Sequence, residues 1–225
     1  MTENRTPFRG ALFDMDGLLL DSERACLVAF GETVAGFGLP PMPEVALACI
    51  GLRRDGVKAT IAVALGARVD SDTFYTAWGQ RISKSYAHGI PVKAGVVELL
   101  EALKTQGTPC AVATSTQSDL AEGHLQRAGL RGYFKAVIGG DQVTLGKPAP
   151  EIYLKAAETL GVSAAACAAF EDSDPGTLAA IASRATVVQV PDVNAPSAAL
   201  LAKGHVIADN VLDGAMTIGL IRARL

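Results

Sequence analysis

Short apolar runs ending in acidic or hydroxyl residues mark out most of this chain. Residues 8–14 (FRGALFD) form the first, a buried-strand pattern closed by Asp14. From about Ser22 to His88 the texture is helical instead, in four stretches: ERACLVAFGETVAGFG, PEVALACIG, RDGVKATIAVALGA and SDTFYTAWGQRISKSYAH. Pro43 and Ser71-Asp72 supply helix-start signals there, and glycines close several segments. After Pro91 helices and apolar strands alternate. VVELLEALKTQG leads into PCAVAT, DLAEGHLQRAGL into KAVIG, PEIYLKAAETLG into AACAAFED, and DPGTLAAIASR into ATVVQV. Repeated helix–strand units of this length predict a doubly wound, Rossmann-like α/β fold, a parallel sheet with helices on both faces. The expected division is an α/β core from residues 1–17 and 89–225, with an α-helical cap inserted at 18–88.

Composition narrows the function. At 225 residues and 49% hydrophobic the chain can bury a substantial core. A net charge of −3 and scattered basic residues, with Arg53-Arg54 the one adjacent basic pair, argue against nucleic acid as a partner. No run approaches the roughly 18 apolar residues of a bilayer span, so no membrane partner is expected. The start, MTENRTPFRG, lacks the apolar region of a secretory signal. Cys26, Cys49, Cys110 and Cys167 are far apart and read as free, buried thiols. A cytoplasmic monomer is the expectation.

The acids carry the chemistry. Open α/β sheets bind ligands beyond the carboxyl ends of their strands, where strand order reverses. Asp14 and Asp16 follow the first strand, Thr114 and Ser115 end CAVATS, and Glu171, Asp172 and Asp174 follow AACAAF. With the first strand central, these polar clusters meet at one edge. Magnesium takes hard oxygen ligands, which Asp14 and Asp172, the Asp16 carbonyl and substrate phosphate would supply; whether Glu171 or Asp174 also touches the metal stays open. An aspartate beside the metal can attack phosphorus, which makes Asp14 the candidate nucleophile. Asp16 is the candidate general acid and base, returned toward the site by the turn at Gly17. Thr114, Ser115, backbone amides near Gly17 and the Lys147 ammonium would neutralise the phosphoryl group. Taken singly, each feature has a plainer explanation. Asp14-x-Asp16-Gly can be an ordinary turn, and it lacks the spacing of a calcium loop. Asp174 before Pro175 reads as a helix N-cap, Thr114 and Ser115 could cap the helix that follows, and a lysine before proline is usually solvated. His88, His124 and His205 have no metal-ligand spacing and read as surface or packing residues.

The quoted segments resemble the haloacid dehalogenase superfamily. FDMDGLLLDSE (13–23) is similar to its first motif, AVATST (111–116) to its second, with Thr114 as the hydroxyl residue. GKPAPEIYLKAAETLG (146–161) resembles the third, with Lys147 as the phosphate-binding lysine. FEDSDPG (170–176) resembles the fourth, with Glu171 and Asp172 at its acidic positions. The likeness implies the helical-cap subgroup of sugar-phosphate phosphatases, phosphoglycolate phosphatase and beta-phosphoglucomutase. It implies a Mg²⁺ cofactor, an aspartyl-phosphate on Asp14 and a small phosphorylated metabolite as substrate, hydrolysed as a phosphomonoester. Asp16, which the name-giving dehalogenases lack, disfavours carbon–halogen cleavage. The mutases carry a histidine where Cys26 stands, which tilts the outcome toward hydrolysis and leaves a beta-phosphoglucomutase-type phosphotransferase as the alternative. A non-catalytic phosphate- or metal-binding module would be expected to lack Asp14. IGLRRD (50–55) resembles a cap pattern of the phosphatases, implying that Arg53 meets the substrate.

Overall fold

The computed structural model describes residues 8–222. Residues 1–7, which include most of the segment read for targeting, and the side chain of His88 lie outside what is described. The elements run β1 (Gly10–Phe13), α1 (Glu23–Gly36), α2 (Pro43–Ala48), α3 (Arg54–Leu65), α4 (Ser71–Ser85), α5 (Val96–Gln106), β2 (Cys110–Ala113), α6 (Ser118–Arg127), β3 (Ala136–Ile138), α7 (Glu151–Leu160), β4 (Cys167–Glu171), α8 (Asp174–Ala182), β5 (Thr186–Gln189), α9 (Ala198–Leu201), β6 (Val206–Ile207) and α10 (Val211–Thr217).

All six strands are parallel, in the order β3-β2-β1-β4-β5-β6. Successive side chains on a strand face opposite sides, and here both sides are apolar. Ala11, Phe13, Val112 and Phe170 pack on one face with Leu99 and Leu103 of α5 and Leu125 of α6. Leu12, Ala111, Ala113 and Ala169 pack on the other with Ile152, Ala156 and Leu160 of α7. A sheet covered on both faces tolerates continuous apolar runs, which is why these strands do not alternate with polar residues. Phe13 and Phe170, neighbours across β1 and β4, stack at 4.9 Å and 7°. Strand order runs outward from β1 on both sides, to β2 and β3 one way and to β4, β5 and β6 the other, so the carboxyl ends of β2, β1 and β4 open onto one crevice.

Residues 29–78 build a separate apolar cluster in which Phe30 and Trp78 meet edge to face at 5.2 Å. At the expected start of the insert, residue 18, the chain still packs with the core. Leu18, Leu19 and Leu20 are buried in the core cluster with Phe13, and Leu20 bridges to Val92. The chain therefore leaves the core near Asp21, where the Asp21 amide donates to the Pro91 carbonyl at 2.9 Å. The helix-start reading of Ser71-Asp72 moves one residue back. Asp70 is the N-cap, accepting from the Thr73 amide at 2.8 Å. Among the described residues no helix is long and apolar enough to cross a membrane. The four cysteines are free, three buried and Cys26 partly so.

Candidate active site

Three strand ends deliver the central groups. Asp14 follows β1, Thr114 follows β2, and Glu171 closes β4 with Asp172 next in line; all four are buried. Lys147 comes from the loop before α7 and is buried as well, with its Nζ 2.5 Å from Asp14 Oδ1 and 2.5 Å from Glu171 Oε1. The plainer reading of Lys147 as a solvated loop residue is thereby set aside. Glu171 is fully engaged. Its Oε1 also accepts from the Tyr153 hydroxyl at 2.6 Å, and its Oε2 accepts from the Asp172 and Ser173 amides and the Ser173 hydroxyl at 3.2–3.4 Å. This close wrapping needs Gly176, where a Cβ would lie 2.0 Å from the Glu171 carboxyl carbon. Gly17 has a φ of +78°, and a Cβ on it would come within 2.3 Å of Asp172 Oδ2. Only glycine accepts both that conformation and that approach.

Asp14, Glu171 and Asp172 each bring a carboxylate oxygen within 4.8 Å of the others. Three buried carboxylates face one ammonium, an excess of two negative charges when all are ionised. The cluster is made of hard oxygen donors, so a small divalent cation fits it in charge and in ligand type. The electrostatics agree. Burial pushes the Asp14 carboxyl up to about 8; Lys147 pulls it down, and Glu171 and Asp16 push it up again. Burial also raises Asp172, with Asp14 and Glu171 adding to it. For Lys147, burial alone would lower the pKa, but Asp14 and Glu171 outweigh that and hold it above the ordinary lysine value.

The Asp16 carboxylate stands apart from this cluster. Its Oδ1 accepts from Ser22 Oγ at 2.8 Å and its Oδ2 from Thr116 Oγ1 at 2.7 Å and Thr114 Oγ1 at 3.4 Å. Asp16, and Asp14 of the cluster, line a cavity of about 470 Å³ between the sheet edge and the helical insert. Asp14, Asp16, Thr114, Ser115, Cys26 and Arg54 are among its lining residues.

The sequence profile of the haloacid dehalogenase-like hydrolases matches residues 11–190. The chain belongs to this family. Among curated relatives, the phosphorylated carbohydrates phosphatase of Thermotoga maritima is 33% identical over 170 residues, 75% of this chain and 78% of that protein. The fructose-1-phosphate phosphatase of Escherichia coli is 30% identical over 185 residues, 81% and 96% of the two chains. A haloacid dehalogenase family hydrolase from Deinococcus radiodurans, solved with bound phosphate and sodium, superposes with a TM-score of 0.77 at 28% identity, covering 97% of this chain and all of that one.

Within this haloacid dehalogenase-like site, three expectations change. Arg53 does not line the cavity. Its guanidinium is held by Asp55 and donates to the Gly140, Val143 and Thr144 carbonyls at 3.0–3.4 Å, so it ties the insert to the core while Arg54 lines the cavity. Asp174 is not the N-cap of α8. That residue is Ser173, whose Oγ accepts from the Gly176 amide at 3.3 Å, while Asp174 accepts from the Ser197 amide at 3.1 Å. Thr114 and Ser115 do not cap α6 either. Gln117 stands at its N-cap, and Asp141 accepts from the Ser118 amide at 2.7 Å. Ser115 Oγ instead donates to the Gly51 carbonyl at 3.0 Å, another link to the insert.

Sequence reading missed several site residues. Thr116 and Ser22 position Asp16, Tyr153 positions Glu171, and His124 lines the cavity edge-on to Tyr86 at 5.4 Å. Glu23 is the most telling of them. Burial, with Asp16, Asp14 and Asp192 around it, pushes its carboxyl up to about 8. A carboxyl raised on folding contributes stability that is full below its unfolded value near 4.5 and is lost as pH rises through about 8. In metal-free protein, the urea midpoint should therefore fall between pH 5 and pH 8. Glu23→Gln should make that fall shallower, by on the order of a few kcal/mol. Parallel pH profiles for the two proteins would refute this role of Glu23.

Proposed function

We propose that the chain is a magnesium-dependent phosphatase of small phosphomonoesters, working through an aspartyl-phosphate on Asp14. One observation carries the reading: a buried nucleophile candidate and a buried ammonium meet two further carboxyls at the strand ends, and Asp14 of that cluster lines a cavity large enough for a small metabolite. The named activities of the two curated relatives, on phosphorylated carbohydrates and on fructose 1-phosphate, support a sugar phosphate as the substrate.

Asp14 and Asp172, with the Asp16 carbonyl, would hold Mg²⁺, and Glu171, its oxygens already bonded, would stand behind them and hold Lys147 in place. When bound, the ion supplies charge neutralisation for the carboxylates and for the phosphate oxygens. The chain's own groups do the rest. Lys147 and the Thr114 hydroxyl offset the charge that develops on the transferring group. Asp14 Oδ attacks phosphorus and the P–O bond to the alcohol breaks. Asp16 gives its proton to the departing alkoxide, then takes one from the water that cleaves the acyl-phosphate. The Ser22 and Thr116 hydroxyls aim the Asp16 carboxyl during both transfers. Cys26 supports hydrolysis as the outcome: burial pushes its thiol up to about 12, so it stands near Asp16 as a neutral group.

The test is a phosphate-release screen over sugar, sugar-alcohol and short-chain phosphates, with and without Mg²⁺. Release should stop with excess chelator and return with Mg²⁺. The ion should also raise the melting temperature, because it binds the folded carboxyl cluster and not the unfolded chain. Full turnover in excess chelator would exclude the metal mechanism.

A further inference from the structure

Glu23 opens α1 and is 9% exposed, yet it lines the cavity beside Asp14 and Asp16. Its Cγ lies 3.1 Å from where a Cβ on Gly17 would stand, so its side chain lies over the turn that carries the nucleophile. Among the described residues no hydrogen bond or ion pair holds its carboxyl. The Lys93 ammonium, which acts on it electrostatically, is bonded to Asp192 at 2.6 Å. The neighbouring Ser22 hydroxyl is committed to Asp16. Beyond Glu23 the cavity wall continues through Cys26, Leu27, Ala46 and Ile50, which offer little to hydrogen-bond.

A carboxyl drawn out of bulk water into a pocket wall gains from a partner of its own, because a hydrogen bond offsets the cost of desolvation. A carboxyl held without a protein partner, in a cavity beside the reacting aspartate, is a group waiting for a ligand. A second phosphate would be repelled there by Asp14, Asp16 and Glu23 together. An apolar group would leave the carboxyl unpaired. A hydroxyl suits it in either protonation state, since it can donate to a carboxylate or accept from a carboxylic acid.

We infer, resting on the phosphatase reading above, that Glu23 is a specificity-determining residue that hydrogen-bonds a hydroxyl on the alcohol part of the substrate, so that polyol phosphates are selected over hydroxyl-free phosphomonoesters. A site built to pair with a substrate hydroxyl rejects the analogue lacking it far more strongly than an apolar pocket would.

The experiment compares kcat/KM for the best polyol phosphate of the screen and for phenyl phosphate, in Mg²⁺, for wild type, Glu23→Ala, Glu23→Met and Glu23→Gln. Wild type should prefer the polyol phosphate. Glu23→Ala should cut that preference by about tenfold or more, because the loss on the polyol phosphate should exceed any change on phenyl phosphate. Glu23→Met keeps the length of the side chain, guards against a collapsed alanine variant and should behave alike. Glu23→Gln, still able to donate and accept, should retain part of the preference. Equal losses on both substrates, or an unaltered ratio in Met and Ala variants, would overturn the inference and leave the phosphatase standing. A wild type that releases phosphate from neither would overturn both.

Discussion

Asp14→Asn should lose turnover by on the order of a thousandfold or more while keeping its fold. Asn has nearly the shape of Asp but cannot attack phosphorus, so the loss should fall on kcat. The stability outcome separates this from misfolding. Asp14 shares its buried space with Glu171 and Asp172, and its own carboxyl is raised to about 8. Removing one of three crowded carboxyls relieves like-charge repulsion, and Lys147 keeps its bond to Glu171 at 2.5 Å. The metal-free variant should therefore melt at or above the wild-type temperature near pH 8. Single-turnover assays and calorimetry on the same preparation check both halves. Retention of more than a few per cent of wild-type rate would mean another residue attacks.

Lys147→Ala should be the more damaging change for stability. The ammonium touches Asp14 and Glu171 at once, with its ring contact to Tyr153 at 5.3 Å. Removing one partner of a buried ionic cluster leaves uncompensated charge, typically costing about 3–5 kcal/mol. Activity should fall too, because the ammonium orients Asp14 and offsets phosphoryl charge. Lowering the pH should recover part of the lost stability, since protonating Asp14 or Asp172 removes the uncompensated charge; without Lys147, which lowers the Asp14 carboxyl, that protonation sets in above the wild-type value of about 8. Urea melts at pH 5.5 and 8.5 measure it. A variant as stable as wild type at pH 8.5 would show that Lys147 is not the counter-charge of the cluster.

Much of this arrangement was legible before any coordinates. Asp14, Thr114 and Asp172 follow short, wholly apolar runs, and such runs are strands buried on both faces, so their ends had to meet at a shared crevice. Lys147, Glu171 and the family itself were legible through four motifs in order. What lay outside sequence reasoning depends on side-chain direction. Glu23 looks like any acid in the first turn of a helix, and nothing local says that it turns inward over Gly17. Tyr153 sits in an amphipathic helix where an aromatic residue reads as core, yet its hydroxyl meets Glu171. Arg53 and Arg54 are adjacent at the start of α3, and a change of one residue decides which guanidinium reaches the cavity and which reaches the Val143 carbonyl. The sixth strand has two residues and β-pairs on one side alone, too short to leave a periodic signal.

Ten buried apolar residues of the helical insert, between Ala29 and Trp78, pack into one cluster of their own, apart from the two clusters on the sheet. That separation has a consequence for redesign. Residues on the insert's inner wall, such as Leu27, Ala46 and Ile50, can be varied as a library with the catalytic strand ends left untouched. Damage from such variants stays within a module whose cohesion is self-supplied. The attachments that limit that freedom include the Arg53 contacts to the Gly140–Thr144 carbonyls, the Ser115–Gly51 bond, the Arg24–Asp192 ion pair and the Asn194–Leu47 bond. A library that spares them, together with Glu23, changes the shape of the cavity while preserving the way the insert meets the strand end at Asp14.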